Sequence, residues 1–522
     1  SKTKTMMKKT TTILCLGIAL CMLGCSDDDD QVTTTSTVPF SLTASLSPRS
    51  SDAEDTGILQ GNWDANSQLA VIKTGSSGVP KSILTRKTDS SDTFTGNLST
   101  LVKNENEIAV FYPAAAITAN SSDTLTQTLN LSGQDGTLAG ITNYDYLWAQ
   151  CKAGMNETTG SSACEMTSLV TIGKFQFTVN GGSPLNNITR ITITATAGTL
   201  YSSAVMKLKN GEFSSTQTGN ITIKNKAGIS GTTYISFFPS EAQLHFTLVT
   251  TTGEVYEAAT STTIKLEKGK VYEAPALTCT LLPSAKVGDY YYSDATFSSE
   301  KNENKTCIGI VYALDDADGN LSPTLSTSPF GRIVALGDNQ SSTKWISKAE
   351  DIEGIENYTT ADGTLTSGVL PYYNGTADSF FSDKDEERIK GATIHVETGQ
   401  PATWVSEGAI SDFNGKAHTA YLGKSSSSYP AGGYCYQYST SGKSAGEWYL
   451  PSAGELTLLW ELQKAGIICK DKQDCFNDFA RKPYSSSSEN SAESAWHLNF
   501  VSGAIVANSK ASNYATRPVA QF

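Results

Sequence analysis

An alternation of apolar and polar residues, sustained for some 240 residues from Val38, constrains this chain more than any other feature. Val38-Pro39-Phe40-Ser41-Leu42, Phe175-Gln176-Phe177-Thr178-Val179, Ile191-Thr192-Ile193-Thr194 and Leu244-His245-Phe246-Thr247-Leu248 each place apolar residues at every second position. Successive side chains of a strand point to opposite faces, so a period of two describes a strand with one dry face and one wet face. Turn-forming Asn180-Gly181-Gly182, Asn210-Gly211 and Thr252-Gly253 separate the runs. Short antiparallel strands at such spacing predict β-sandwiches. Two breaks, the Gly/Ser/Thr-rich stretch Cys151–Met166 and Leu281-Leu282-Pro283-Ser284, divide the chain into sandwiches at 38–165 and 166–282 and a C-terminal domain at 283–522.

The last domain differs in texture, holding five of seven tryptophans and three of four histidines. Its clearest helix signal is Ser452 with Glu455 three residues on, the spacing of a capping box, ahead of Leu456-Thr457-Leu458-Leu459-Trp460-Glu461-Leu462. Gly466 is the expected stop.

Lys8 and Lys9 precede a twelve-residue apolar run, Ile13–Gly24, too short to span a bilayer but suited to a secretory signal. Met22-Leu23-Gly24-Cys25 resembles a bacterial lipobox, so residues 6–24 are expected as a lipoprotein signal peptide, with translation from Met6 or Met7, and Cys25 as the lipidated residue. Residues 25–37 then form an acidic, Thr-rich tether. Ser26-Asp27-Asp28-Asp29-Asp30 is similar to the surface-export signal of Bacteroidetes lipoproteins, which implies display on the outer membrane through the acyl chains. A net charge of −13 argues against nucleic acid or anionic membrane surfaces as partners. Seven cysteines follow Cys25; Cys151 with Cys164 and Cys469 with Cys475 are the pairs close enough in sequence to be disulfide candidates. Cys279, Cys307 and Cys435 remain, and an odd count requires a free thiol or an intermolecular bond.

The first strand leading to Arg49, Trp63, Glu107-Ile108-Ala109-Val110-Phe111-Tyr112-Pro113 and Tyr144-Asp145-Tyr146-Leu147-Trp148-Ala149 occur in an order that resembles the fimbrillin family of FimA-like pilus subunits. That resemblance implies two tandem transthyretin-like β-sandwiches, proteolytic processing after Arg49, departure of the first strand, and assembly with other fimbrillin subunits by β-strand donation. Gly288-Asp289-Tyr290-Tyr291-Tyr292-Ser293-Asp294, Gly446-Glu447-Trp448-Tyr449-Leu450-Pro451-Ser452 and Tyr514-Ala515-Thr516-Arg517-Pro518-Val519-Ala520-Gln521-Phe522 resemble a C-type-lectin-like module. The expected fold class is therefore mainly β: two tandem sandwiches plus a C-terminal α+β lectin-like head.

Catalytic and metal motifs fail in detail. Gly442-Lys443-Ser444-Ala445-Gly446 matches GxSxG, but the extended Trp448-Tyr449-Leu450-Pro451 follows where a helix is needed. A P-loop would need glycine at Gln437. Asp315-Asp316-Ala317-Asp318-Gly319 lacks the first ligand and the bidentate glutamate of a calcium loop, and is expected as an Asp318-Gly319 turn. His395, His418 and His497 lack metal-ligand spacing, and no metal, cofactor or enzymatic activity is expected. The region 337–447 offers aromatic faces beside amides and carboxylates, the composition of a sugar-binding surface: Asp338, Trp345, Tyr373, Trp404, Asn414 and Tyr421. The functional expectation is a fimbrial tip adhesin for a host or bacterial glycan or protein, the final strand up to Phe522 being kept within the head. The alternative is an unpolymerised, surface-exposed glycan-binding lipoprotein.

Overall fold

The computed structural model describes residues 36–75, 78–88, 92–118, 126–322, 325–338, 342–365, 394–396, 408–468 and 483–522, and these are mainly β. The first alternating run becomes β1 (Thr37–Leu46), with Phe40, Leu42 and Ala44 buried and Thr43 and Ser45 exposed. It is followed by β2 (Gln68–Lys73), β3 (Ser82–Arg86), β4 (Thr93–Ser99), β5 (Glu107–Tyr112), β6 (Thr126–Asn130), β7 (Leu147–Lys152), β8 (Gly154–Met155) and β9 (Gly160–Ser168).

The strands of the N-terminal unit run β1-β4-β3-β2-β5-β7-β9-β8, and β1 also pairs with β9. A ring of seven strands is thereby closed, with the short β8 following β7 along the same edge of β9. Closure removes the unpaired sheet edges that would otherwise invite other strands. Residues Thr37–Thr43 of β1 pair antiparallel with β4, and Phe40–Leu46 pair parallel with Gly160–Met166 of β9. Inside the ring Phe40, Leu42 and Ala44 meet Trp63, Leu69, Val71, Leu84, Phe94 and Val110. Trp63 is edge-on to Phe94 and Tyr112, with centroids 5.0 and 5.2 Å away.

β6 leaves the ring and joins the strand Tyr201–Lys207, beside Phe213–Thr218. The boundary expected at 165–166 falls inside β9, because a nine-residue strand completes its ladder there. In the second unit Ile188–Gly198 lies between Ile221–Ile229 and Ser240–Thr250, while Thr171–Phe175 lies between Thr233–Phe237 and Val271–Glu273. Phe175, Ile191, Ile193, Phe237 and Phe246 fill the space between, and this core runs on into Phe111 and Tyr146 of the first unit. Tyr146 stacks on Phe238 with centroids 6.3 Å apart.

The C-terminal unit is built on a six-stranded sheet in which the final strand, Val519–Gln521, is interior. Ala520 pairs with Ile333 on one side and Trp448 on the other. The helix Ala453–Lys464 opens with both halves of the Ser452/Glu455 capping box and is buried from Ala453 to Leu462. Glu455 does more than cap. Its Oε1 accepts from Tyr312 at 3.0 Å, Tyr449 at 2.8 Å and Arg332 at 2.6 Å, giving the buried guanidinium a second carboxylate besides Asp315. Burial raises the Asp315 pKa to about 6, even with Arg332 pulling it down. Asp318 precedes Gly319, which has φ +77°, and its carboxylate pairs with Arg190 of the second unit.

Candidate functional site

β1 occupies a continuous seat. Phe40 lies between Gly96 of β4 and Gly160 of β9, and Leu42 between Phe94 and Ser162. Ala44 lies beside Cys164; its N–H donates to Asp92 O at 2.9 Å, and its carbonyl accepts from the Trp63 indole at 2.7 Å. Phe40 and Leu42 are the large buried groups, each worth about 1.5–3 kcal/mol on transfer from water.

Arg49 follows three residues after β1. Its guanidinium pairs with Asp145 and donates to Ser168 Oγ at 2.9 Å; the two charged side chains are 8% and 1% exposed. The backbone N–H groups of Arg49 and Ser50 both donate to Leu59 O, at 3.0 and 3.1 Å. A cavity of about 170 Å³ opens here, lined by Leu46, Ser47, Arg49, Glu165 and Gly269 among others. The proposed scissile arginine is thus held inside the fold.

The chain downstream is held separately. Asp52 and Asp55 both pair with buried Lys174 of the second unit, Asp55 at 3.0 Å, and Asp55 also accepts from Tyr234 at 2.8 Å. Burial opposes the Lys174 charge, but hydrogen bonds to Asp52 and Asp55 outweigh it and keep the pKa above the ordinary lysine value. Asp52, Asp55 and Glu273 are the one carboxylate cluster dense enough for a metal among the described residues, and the Lys174 ammonium already sits among them.

Cys151 on β7 and Cys164 on β9 both pack against the ring's core as free thiols. The Cys164 thiol donates to the Cys151 sulfur, which lowers the Cys151 pKa to about 7 and drives that of Cys164 up. Ser162 Oγ, 3.3 Å from the Cys151 sulfur, adds to the first effect. Cys279 and Cys435 are also free thiols, both buried. Cys25, Cys469, Cys475, Tyr373 and Trp404 lie outside the described residues.

The expected ligand set is only partly surface. Trp345 is fully buried, its indole donating to Ser486 O at 2.7 Å and Lys510 lying 4.9 Å over its ring, so it has no face left for a ligand. It is a core residue, and its place in the set is corrected. Asp338 accepts from Tyr484. Asn414 is exposed at the N-cap of the helix Gly415–Leu422. Tyr421 is 38% exposed, with Lys424 4.8 Å over its ring. Sequence reasoning passed over Tyr436, equally exposed on the adjoining helix Pro430–Gln437; its neighbours in the glycine-rich run 430–437 gave no amphipathic pattern to single it out.

His418, Asp412, Ser487 and Ser488 superficially resemble a nucleophilic triad. The same His418 nitrogen, Nδ1, faces both Ser487 at 3.1 Å and Asp412 at 3.6 Å, so no proton can pass from serine through the ring to the carboxylate. All four are buried, and burial raises the Asp412 pKa. Burial likewise lowers the His497 pKa to about 3, leaving a neutral imidazole whose centroid is 4.0 Å from that of Tyr514.

No known family's sequence profile matches the chain, and no curated protein matches it. Solved structures to which it is similar include a candidate cell-adhesion protein from Bacteroides ovatus, at 16% identity and a TM-score of 0.33 over 48% of this chain and 97% of that one. A fimbrial protein from Bacteroides ovatus is 14% identical with a TM-score of 0.27 over 92% of this chain and 98% of the other. A fimbrial assembly protein from Parabacteroides distasonis is 12% identical with a TM-score of 0.26, over 47% and 95%. Likenesses at these values carry no argument about function.

Proposed function

We propose that this chain is a surface-displayed fimbrial subunit and tip adhesin, lipidated at Cys25, cut after Arg49, and assembled when another subunit's strand takes the place of β1. The observation that carries this reading is the position of β1: it closes the ring between β4 and β9 and fills its core, while Asp52 and Asp55 anchor the chain beyond Arg49 to Lys174. A cut between the two would free β1 and leave the rest tied down. An incoming strand would restore the ladder and the core together. The facing thiols of Cys151 and Cys164 suit a cross-strand disulfide, formed by exchange with an external disulfide that takes up two electrons and two protons. The third unit, read as a lectin-like head, would present Asn414, Tyr421 and Asp338 toward a glycan or protein ligand.

Val519 and Ala520 are paired on both sides, so the strand Val519–Gln521 is not itself free to be donated. Immunogold labelling against residues 283–522 on fibres from a fimbriated strain carrying the protein is expected to mark one end of each fibre. Label spaced along the length would refute the tip position and favour a decorated shaft. The burial of Arg49 against Asp145 favours the second reading, an unpolymerised surface-exposed glycan-binding lipoprotein that keeps its first strand. N-terminal sequencing of fibre-borne protein separates the two, a start at Ser50 supporting assembly.

A further inference from the structure

We infer that the strand replacing β1 carries a large aromatic side chain, then an aliphatic one, then a small one, at alternate positions, with the aromatic residue entering the seat of Phe40. The inference rests on the proposed assembly function and specifies the partner for it. Three observations carry it. Phe40 is buried with glycine on both neighbouring strands, Gly96 and Gly160. A Cβ at Gly160 would lie 2.7 Å from the Phe40 ring and 2.4 Å from the Met155 sulfur, and one at Gly96 would lie 2.6 Å from Ile83 O. The glycines contribute no side chain at this level, so a wide, flat group from the occupant fills the space together with Met155 and Leu84. A short one leaves a void against bare backbone, and such voids are destabilising in packed cores.

The next two seats narrow. Leu42 has Phe94 opposite on β4, a wall that already contributes a ring. Ala44 has its carbonyl clasped by the Trp63 indole, and that ring is itself fixed between Phe94 and Tyr112. Ala44 is fully buried in the same core as Trp63, so a bulky group at this third seat would overpack it. β1 itself runs parallel to β9 and antiparallel to β4, and the test peptide has the same sequence.

The test uses the full chain with a site-specific protease sequence in place of Ser47-Pro48, cut in solution and offered fluorescent peptides of sequence 37–46. Anisotropy competition reads their entry. Phe40→Ala in the peptide is expected to weaken entry roughly a hundredfold or more, the scale of a lost buried ring. Phe40→Trp and Phe40→Tyr, which keep a ring, should lose less than Phe40→Ala, and Ala44→Phe should enter poorly. In the protein, Gly160→Ala should weaken the native peptide while sparing a Phe40→Leu peptide, a reciprocity that general misfolding would not produce. Equal entry of the Phe40→Ala peptide overturns the aromatic requirement and leaves the assembly reading intact. Failure of the native peptide to enter the cut chain overturns both.

Discussion

Excising β1 is expected to open the N-terminal ring and dissolve its core. With the chain cut after Arg49 and the strand removed in denaturant, the amides of Thr93–Ser99 and Gly160–Met166 should exchange hydrogen like open chain after refolding. The seat loses Phe40 and Leu42, at about 1.5–3 kcal/mol each, together with both ladders β1 makes. A domain's whole stability is only about 5–15 kcal/mol, so this one strand supplies a large part of it. The smaller change Leu42→Ala should cost about 2–5 kcal/mol, because the cavity sits in a closed ring that cannot collapse freely. Adding the peptide Thr37–Leu46 should restore protection in both strands. Protection that survives excision would mean that β4 and β9 do not depend on β1, and the exchange reading would fail.

Asp145→Ala should have the second largest effect. The carboxylate is 1% exposed and faces a guanidinium 8% exposed, so removing it strands a buried positive charge. Breaking such a pair from one side costs about 3–5 kcal/mol. Cleavage by trypsin at Arg49 should rise about a hundredfold or more, if cutting tracks the population of the opened loop. Arg49→Met with Asp145→Leu should recover most of the lost stability, since replacing a buried pair by apolar groups is often near neutral. An unchanged trypsin rate in Asp145→Ala would show that this ion pair does not guard the bond.

The two faces of β1 were legible before any coordinates, since alternation alone separates Phe40 and Leu42 from Ser41 and Thr43. The capping box at Ser452 was equally legible, its chemistry being confined to four consecutive residues. Ring closure was not: the parallel pairing of Phe40–Leu46 with Gly160–Met166 joins segments about 120 residues apart, and nothing local announces it. Arg49 was picked out by its position after the first strand, but its partner Asp145 lay in a segment read only as a marker of family resemblance. The run Ser485–Ser488 looks like a polar loop and is fully buried strand. Its hydroxyls reach Trp496 O, His418 and Asp412, partners that only the tertiary fold supplies. Trp345 misled for a related reason: an indole is amphipathic, and its hydrogen bond to Ser486 O made burial as acceptable as exposure.

The claim that another subunit's strand fills the β1 seat is tested most directly by photocrosslinking inside assembled fibres. Ala163 faces outward directly beside Thr43 in the β1–β9 ladder, so a photoreactive residue there reports on the occupant without disturbing the core. In the unassembled chain it should crosslink to residues 37–46 of the same molecule. In protein recovered from fibres it should crosslink to a segment of a different subunit, with residues before Ser50 absent. Crosslinks to the chain's own Thr37–Leu46 in fibre-borne protein would contradict strand replacement.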